Sequence, residues 1–266
     1  MNLKKLSNRF RFKLIKISNE KKSPHLASSL SCIDIVTTIY HSVLKFKPKE
    51  PKWDMRDRFI LSKGHAATAL YVLLEYKKII TKKQLDSYKE AGSLLEEHPS
   101  PKLSGVEAAT GSLGHGLSIA CGIALSSKIK KKNYMTYVLM SDGECNEGSI
   151  WEAALFAAAK NLSNLCAFVD YNKWQATGRS NEVLKLGSIT KKFKEFGWNV
   201  LEIDGHNHKQ IYNSCKKATK EKFKPTIIVA NTIKGKGVSF MEDDNNWHYR
   251  IPTFEEVKLA KEELKV

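Results

Sequence analysis

The sequence predicts an α/β fold, a parallel sheet with helices on both faces. Short apolar runs that read as strands recur along the 266-residue chain. Helical patterns alternate with them. The runs are near-continuous in apolar residues rather than alternating apolar and polar, as strands buried on both faces are.

From the amino end, residues 1–17 mix Lys4, Lys5, Arg9, Arg11 and Lys13 with Leu3, Leu6, Phe10, Phe12 and Leu14. That pattern reads as an amphipathic surface helix, because it lacks the unbroken apolar stretch of a signal peptide. Thr81 with Gln84 forms a capping-box pair and opens a helix expected to run toward Ala91. The first strand is Tyr137 to Met140 and the second is Leu165 to Val169. Between them Ile150 to Asn161 is a strong helix, which Ser149 and Glu152 are expected to open with a second capping box. Trp198 to Ile203 and Thr226 to Ala230 are the third and fourth strands, and Thr253 with Glu256 opens a final helix. No repeat or linker interrupts the chain, so residues 1–266 are expected to form one domain with a helical amino-terminal portion packed on it.

Composition narrows the function classes. The longest apolar candidate for a membrane helix, Leu117 to Leu125, is too short and contains Ser118, Cys121 and Gly122. The formal charge of +16 invites a nucleic-acid reading. The lysines are spread along the whole chain, however, and no finger spacing or RNA-binding aromatic signature accompanies them, so neither a nucleic-acid nor a membrane partner is expected. Solvated helix faces and attraction for anionic ligands account for the charge. Five cysteines lie far apart with no C-x-x-C pair, which argues against disulfides or zinc and for a cytoplasmic setting.

The chemistry concentrates after two of the strands. Ser141-Asp142-Gly143-Glu144 follows the first strand, and Asp170-Tyr171-Asn172-Lys173-Trp174 follows the second. In an open parallel sheet, ligands gather at the carboxyl ends of strands, so adjacent strands would bring Asp142 and Asn172 to one edge. A carboxylate and an amide oxygen are hard ligands suited to Mg²⁺, an ion that leaves its other positions to phosphate oxygens and water. Taken alone, Asp-Gly after a strand is also an ordinary turn.

The surrounding segments add a resemblance. Asp142-Gly143 and Asn172, with their spacing, resemble the diphosphate-binding motif of thiamine diphosphate enzymes. The segments Arg56 to His65, Gly105 to Gly116, Asp204-Gly205-His206, Lys234 to Phe240 and Trp247-His248 are similar, in order, to those of the transketolase family, from about Ser23 to Glu256. The resemblance implies that thiamine diphosphate is the cofactor. It also implies that Asp142, Asn172 and the backbone carbonyl of Trp174 hold Mg²⁺, with Ca²⁺ or Mn²⁺ able to substitute. Gly143 and Gly111-Ser112-Leu113 would line the cofactor, and His65 and His248 would reach its diphosphate. His25, His98 and His248 would serve as catalytic residues on the sugar, and Glu147 would link active sites near a subunit interface. His25 departs from the family in its Ser23-Pro24-His25-Leu26-Ala27 context, Ser141 replaces the usual glycine, and His115 replaces the common glutamine.

The implied activity is transfer of a two-carbon ketol unit from a ketose phosphate to an aldose phosphate. No segment matches the family's pyrimidine-binding domain. The chain is therefore expected to be the N-terminal subunit of a split transketolase, needing a C-terminal subunit in an α₂β₂ assembly. The alternatives are a subunit of another thiamine diphosphate enzyme, such as a deoxyxylulose-phosphate-synthase-like one, and a non-catalytic module that kept the fold.

Overall fold

A computed structural model describes residues 2–266. The elements in chain order are α1 (Leu3–Lys21), α2 (Leu26–Thr38), β1 (Arg58–Leu61), α3 (Ala67–Tyr76), α4 (Lys82–Asp86), α5 (His115–Ile129), β2 (Thr136–Ser141) and α6 (Gly148–Ala159). They continue with β3 (Leu165–Tyr171), α7 (Ser180–Val183), α8 (Ile189–Glu195), β4 (Asn199–Asp204), α9 (His208–Ala218), β5 (Thr226–Asn231) and α10 (Phe254–Leu264). The strands form one sheet in the order β1-β2-β3-β5-β4, and every neighbouring pair is parallel.

The strands are apolar throughout because the sheet is covered on both sides. Successive side chains point to opposite faces. Tyr137, Leu139, Phe168 and Ile228 therefore join one core with α1, α2, α3, α9 and α10. Val138, Met140, Val169 and Ile227 join a second core with α5, α6 and α8. Phe168 is fully buried, and truncating such a residue to alanine costs on the order of 3–5 kcal/mol.

The four expected strands are present to within one or two residues, and α1 covers the expected amphipathic helix. Its Leu6, Phe10, Leu14 and Ile15 face inward. Three details differ. Strand β1 lies in the Arg56–His65 segment, where the sequence shows a motif but no strand signal. Its four residues are too few to show a period. The helix opened by Thr81 has its full capping box but stops at Asp86 rather than running toward Ala91. Ser149 makes no capping box: its hydroxyl donates to the carbonyl of Gly114 at 3.1 Å, and the helix begins after Glu147 with no side-chain cap. Tertiary contact with the preceding loop has taken the hydroxyl that local spacing assigned to the helix end.

Candidate functional site

The carboxyl ends of β2 and β3 sit side by side, with Ser141 paired to Asp170. This register brings Asp142 and Asn172 to the same edge, as the strand pattern predicts. Asp142 is 3% exposed. Its carboxylate accepts from the backbone N–H of Gly143 at 3.0 Å, the N–H of Lys173 at 2.9 Å and the hydroxyl of Ser180 at 2.8 Å. Among the described residues no lysine or arginine pairs with it. Burial therefore raises its pKa to about 6, against the pull of those donors. A buried carboxylate without a counter-charge is a fitting place for a cation. The Asn172 side-chain oxygen accepts the N–H of Trp174 at 3.0 Å, which closes a tight turn. Among the described residues no group of three His, Cys, Asp or Glu side chains is placed to hold a metal. An ion at Asp142 would thus rest on amide, carbonyl and ligand oxygens, as a hard cation does.

The floor beneath this turn is a buried ion pair. Lys63 follows β1 and pairs with Asp170 at the end of β3, and both side chains are fully buried. Asp170 also accepts from the hydroxyls of Ser31 and Thr232, and Lys63 donates to the carbonyl of Ser28 at 2.9 Å. The pairing outweighs burial and keeps the lysine pKa raised. Glu144 is a further buried acidic group. It accepts from the hydroxyl of Ser62, the N–H of Gly114 at 3.1 Å and the N–H of Ser141 at 2.8 Å. It ties the turn after β2 to the segment before α5, and burial raises its pKa.

That segment approaches very closely. A Cβ on Gly64 would stand 2.6 Å from the backbone N of Gly111. Gly111 has φ +141°, and a Cβ there would meet the ring of His98 at 2.5 Å. Only glycine fits both positions. Ser112 is exposed and Leu113 half-buried on the same loop, while Gly143 sits at the start of the turn after β2, with a Cβ there only 3.3 Å from Gln175. The side-chain nitrogen of Gln175 is buried with no partner, a donor left without an acceptor.

Histidines converge opposite this loop. The ring of His25 lies 5.5 Å from His65 and 5.1 Å from His248, and His65 lies 6.1 Å from His248. His25 stands before α2 with φ 64°, and its N–H donates to the carbonyl of His248 at 2.8 Å. The altered sequence around His25 is thus accommodated by a left-handed backbone, a region open to few non-glycine residues. Burial lowers the pKa of His25, and it pulls His65 well below the ordinary histidine value with help from Lys63. His248 falls to about 3, through burial and the neighbouring Lys234. Lys234, 1% exposed, donates to the side-chain oxygen of Asn245 at 2.6 Å and to Nδ1 of His248 at 2.9 Å. Burial and the repulsion of Lys63 bring its pKa down to about 8. It is a second buried charge without an opposite partner among the described residues. His98 is exposed beside Gly111.

Trp174 stacks beneath the guanidinium of Arg179 at 3.8 Å, and its indole N–H donates to Asp243 at 2.8 Å. Glu147 is exposed and lies beside Gly114. His115 is exposed too, and its Nδ1 lies 3.3 Å from the carbonyl of Leu113. Cys145 is fully buried and its thiol pKa is well raised, which makes it a poor nucleophile.

Sequence reasoning missed Lys63, Asp170, Glu144, Gln175 and Lys234. The signal for one of them was available: Asp170 ends the apolar strand expected over Leu165 to Val169, where a charge must find a buried partner.

The family model for the transketolase thiamine diphosphate binding domain matches residues 3–266. The chain is 41% identical to one of the subunits of the apulose-4-phosphate transketolase of Phocaeicola vulgatus, covering 97% of this chain and 92% of that protein. It is 40% identical to a 6-deoxy-6-sulfo-D-fructose transketolase subunit of a Clostridium strain, covering 91% of this chain and 88% of that one. Among solved structures, the transketolase of Campylobacter jejuni superposes over 100% of this chain with a TM-score of 0.95 at 30% identity, and the match spans 43% of the Campylobacter chain. Over nearly its whole length, in sequence and in fold, the chain therefore belongs to the transketolase family and carries its thiamine diphosphate binding domain.

Proposed function

We propose that the chain is the diphosphate-binding subunit of a split transketolase. It would transfer a two-carbon ketol unit from a ketose phosphate to an aldose phosphate, together with a second chain that supplies the pyrimidine-binding domain. Residues 1–266 act as a single domain in this reading, the assembly is α₂β₂, and the setting is cytoplasmic. The observation that carries it is that the same end of the sheet holds a buried carboxylate, Asp142, and a buried ammonium, Lys234, and among the described residues neither forms an ion pair. A metal diphosphate answers both charges. Two relatives of nearly the same length carry subunit names. All five cysteines are free and buried, as suits a reducing compartment, and among the described residues no helix is long and apolar enough to cross a membrane.

Thiamine diphosphate, when bound, supplies the electron sink for carbon–carbon cleavage beside a carbonyl. The chain's residues hold and orient it. Asp142, Asn172 and the carbonyl of Trp174 hold Mg²⁺. Gly111, Ser112, Leu113 and Gly143 present backbone to the diphosphate, His65 and Lys234 donate to it, and Gln175 adds a free donor. An ammonium can only donate, so Nδ1 of His248 is an acceptor and the ring proton sits on Nε2. Nε2 of His248 therefore offers an N–H to a substrate oxygen. His25 and His98 flank the same space and are suited to hydrogen-bond the sugar's hydroxyls and move protons. Glu147, exposed beside Gly114, belongs to the contact with a second subunit.

The test is reconstitution. The purified chain with Mg²⁺, thiamine diphosphate and a ketose phosphate should show no turnover, and adding the chain encoding the pyrimidine-binding domain should restore it. Robust turnover by the single chain would refute the split assignment.

A further inference from the structure

The Asp204-Gly205-His206 segment takes no part in the site, yet His206 lies in a buried ionic cluster directly behind it. Asp34 on α2 is at its centre. Arg11 on α1 grips Asp34 with both terminal guanidinium nitrogens, one at 3.1 Å and one closer. His206 reaches Asp34 through Nδ1 at 2.9 Å. Burial opposes the charge on Asp34, but Arg11 and His206 outweigh it and hold the carboxyl well below its usual range.

A third group, His208, brings its Nε2 to 3.5 Å from Asp34, but it is Arg11 and His206 that also hold the turn that carries Lys234. The N–H of Ile233 donates to Nε2 of His206 at 2.9 Å. Nε2 is therefore an acceptor, and the ring's proton lies on Nδ1, facing Asp34. At the other end of the turn, Nε of Arg11 donates to the carbonyl of Lys236 at 2.8 Å. Between these grips stands Lys234, whose ammonium meets His248 at 2.9 Å. The turn is further fixed by the N–H of Gly235 on the carbonyl of Ala27 at 3.1 Å.

We propose that Arg11, Asp34 and His206 form a clamp that positions the Lys234 ammonium, with His206 as the positioning residue that fixes the amino end of its turn. A buried ion pair is a costly way to join two helices, since apolar residues do as well or better. The directionality of its hydrogen bonds is what a methyl group cannot supply. Both members of the pair's network end on backbone atoms flanking a lysine, and that lysine must be held to about a hydrogen-bond length. The charged groups facing His206 are Asp34 of α2, Arg11 of α1, Asp204 at the end of β4 and His208 at the start of α9. His208 makes its own bond to the Thr38 hydroxyl at 2.8 Å. Asp204 is occupied with the N–H of His206 at 2.8 Å.

The proposal rests on the diphosphate reading only for what Lys234 serves, not for how it is held. Its test uses the full chain. NMR titration of the labelled lysine side chains reports the pKa of Lys234, and calorimetry with Mg²⁺ and inorganic pyrophosphate reports the anion site. His206→Phe keeps the ring's shape but removes both nitrogens. It should let the ammonium reach water, raise the Lys234 pKa by at least one unit from about 8, and weaken pyrophosphate binding at least tenfold. His206→Gln restores an acceptor near Nε2 and should bring both readouts back toward wild type. If the Phe variant does not fold, His206→Asn keeps a donor for Asp34 while leaving the Ile233 N–H unpaired, and it should move Lys234 in the same direction. A merely structural role would lower the unfolding midpoint and leave the Lys234 titration where it was; that result in a folded Phe or Asn variant overturns the clamp. If wild-type chain binds no pyrophosphate, the diphosphate reading fails, and the Lys234 titration alone still decides the clamp.

Discussion

Replacing Asp142 by asparagine should stabilise the empty chain while destroying its ligand site. The carboxyl titrates near 6 when folded, against an ordinary value of 3.8. That shift of about two units is worth about 3 kcal/mol. Between roughly pH 4 and 6 the unfolded chain loses this proton while the folded chain keeps it. Stability therefore falls across that window and stays reduced at neutral pH. Asp142→Asn removes the cost. It also turns an NH₂ group toward one of the three donors now bonded to the carboxylate, which takes back about 1 kcal/mol. The net gain at pH 7 is about 1–2 kcal/mol, or about 0.5 M in the urea midpoint at a slope of about 3 kcal/mol/M. The gain should vanish below about pH 4. Mg²⁺ with thiamine diphosphate should add about 2.7 kcal/mol to the wild type at a hundredfold excess over the dissociation constant, and almost nothing to the variant. Urea unfolding at pH 4 and 7, with and without ligand, reads all of this. A variant less stable than wild type at pH 7, or one that keeps the ligand-linked stabilisation, would refute the account of Asp142 as an uncompensated buried anion.

Two further outcomes follow from the same electrostatics. Lys63→Met strands Asp170 in the sheet, fully buried, and should cost about 3–5 kcal/mol in urea unfolding; a loss under about 1 kcal/mol would refute the ion pair as what holds Asp170 there. His248, with its pKa lowered to about 3, should show no protonation step between pH 5 and 7 by ¹⁵N NMR, with the proton on Nε2 while Lys234 remains an ammonium. A titration near 6.5 would contradict the contact with Lys234. The folded ring resists a proton that the unfolded ring accepts, so this histidine makes stability rise with pH up to about 6.5.

Much of the fold could be read from periodicity, because buried parallel strands leave long apolar runs such as Leu165 to Val169. The four-residue β1 could not, since its apolar stretch is no longer than chance allows. The capping box at Ser149 failed because local spacing cannot report that Gly114 will arrive from another segment to take the hydroxyl. The same limit governs the site. Asp142 and Asn172 were accessible because each directly follows a recognisable strand, and parallel pairing alone unites them. His25, His65 and His248 were found only through the family resemblance, as no pattern in one sequence brings those three rings together. Lys63, Glu144 and Lys234 were hidden among 44 lysines and arginines and 28 acidic residues. What distinguishes them is burial, which composition does not encode.

The bond from the N–H of His25 to the carbonyl of His248 also sets a schedule. During synthesis the two ends of that bond leave the ribosome roughly two hundred residues apart, a delay on the order of 10–40 s at usual elongation rates. The sheet strands β1 to β3 can emerge and pair well before then, while His25 waits without its partner. The histidine face is thus among the last parts of the nascent chain to close, and Lys63 and Asp170 would meet each other in a core still open to water. A pause or a chaperone acting before residue 248 emerges would leave the sheet largely built and the histidine face unmade.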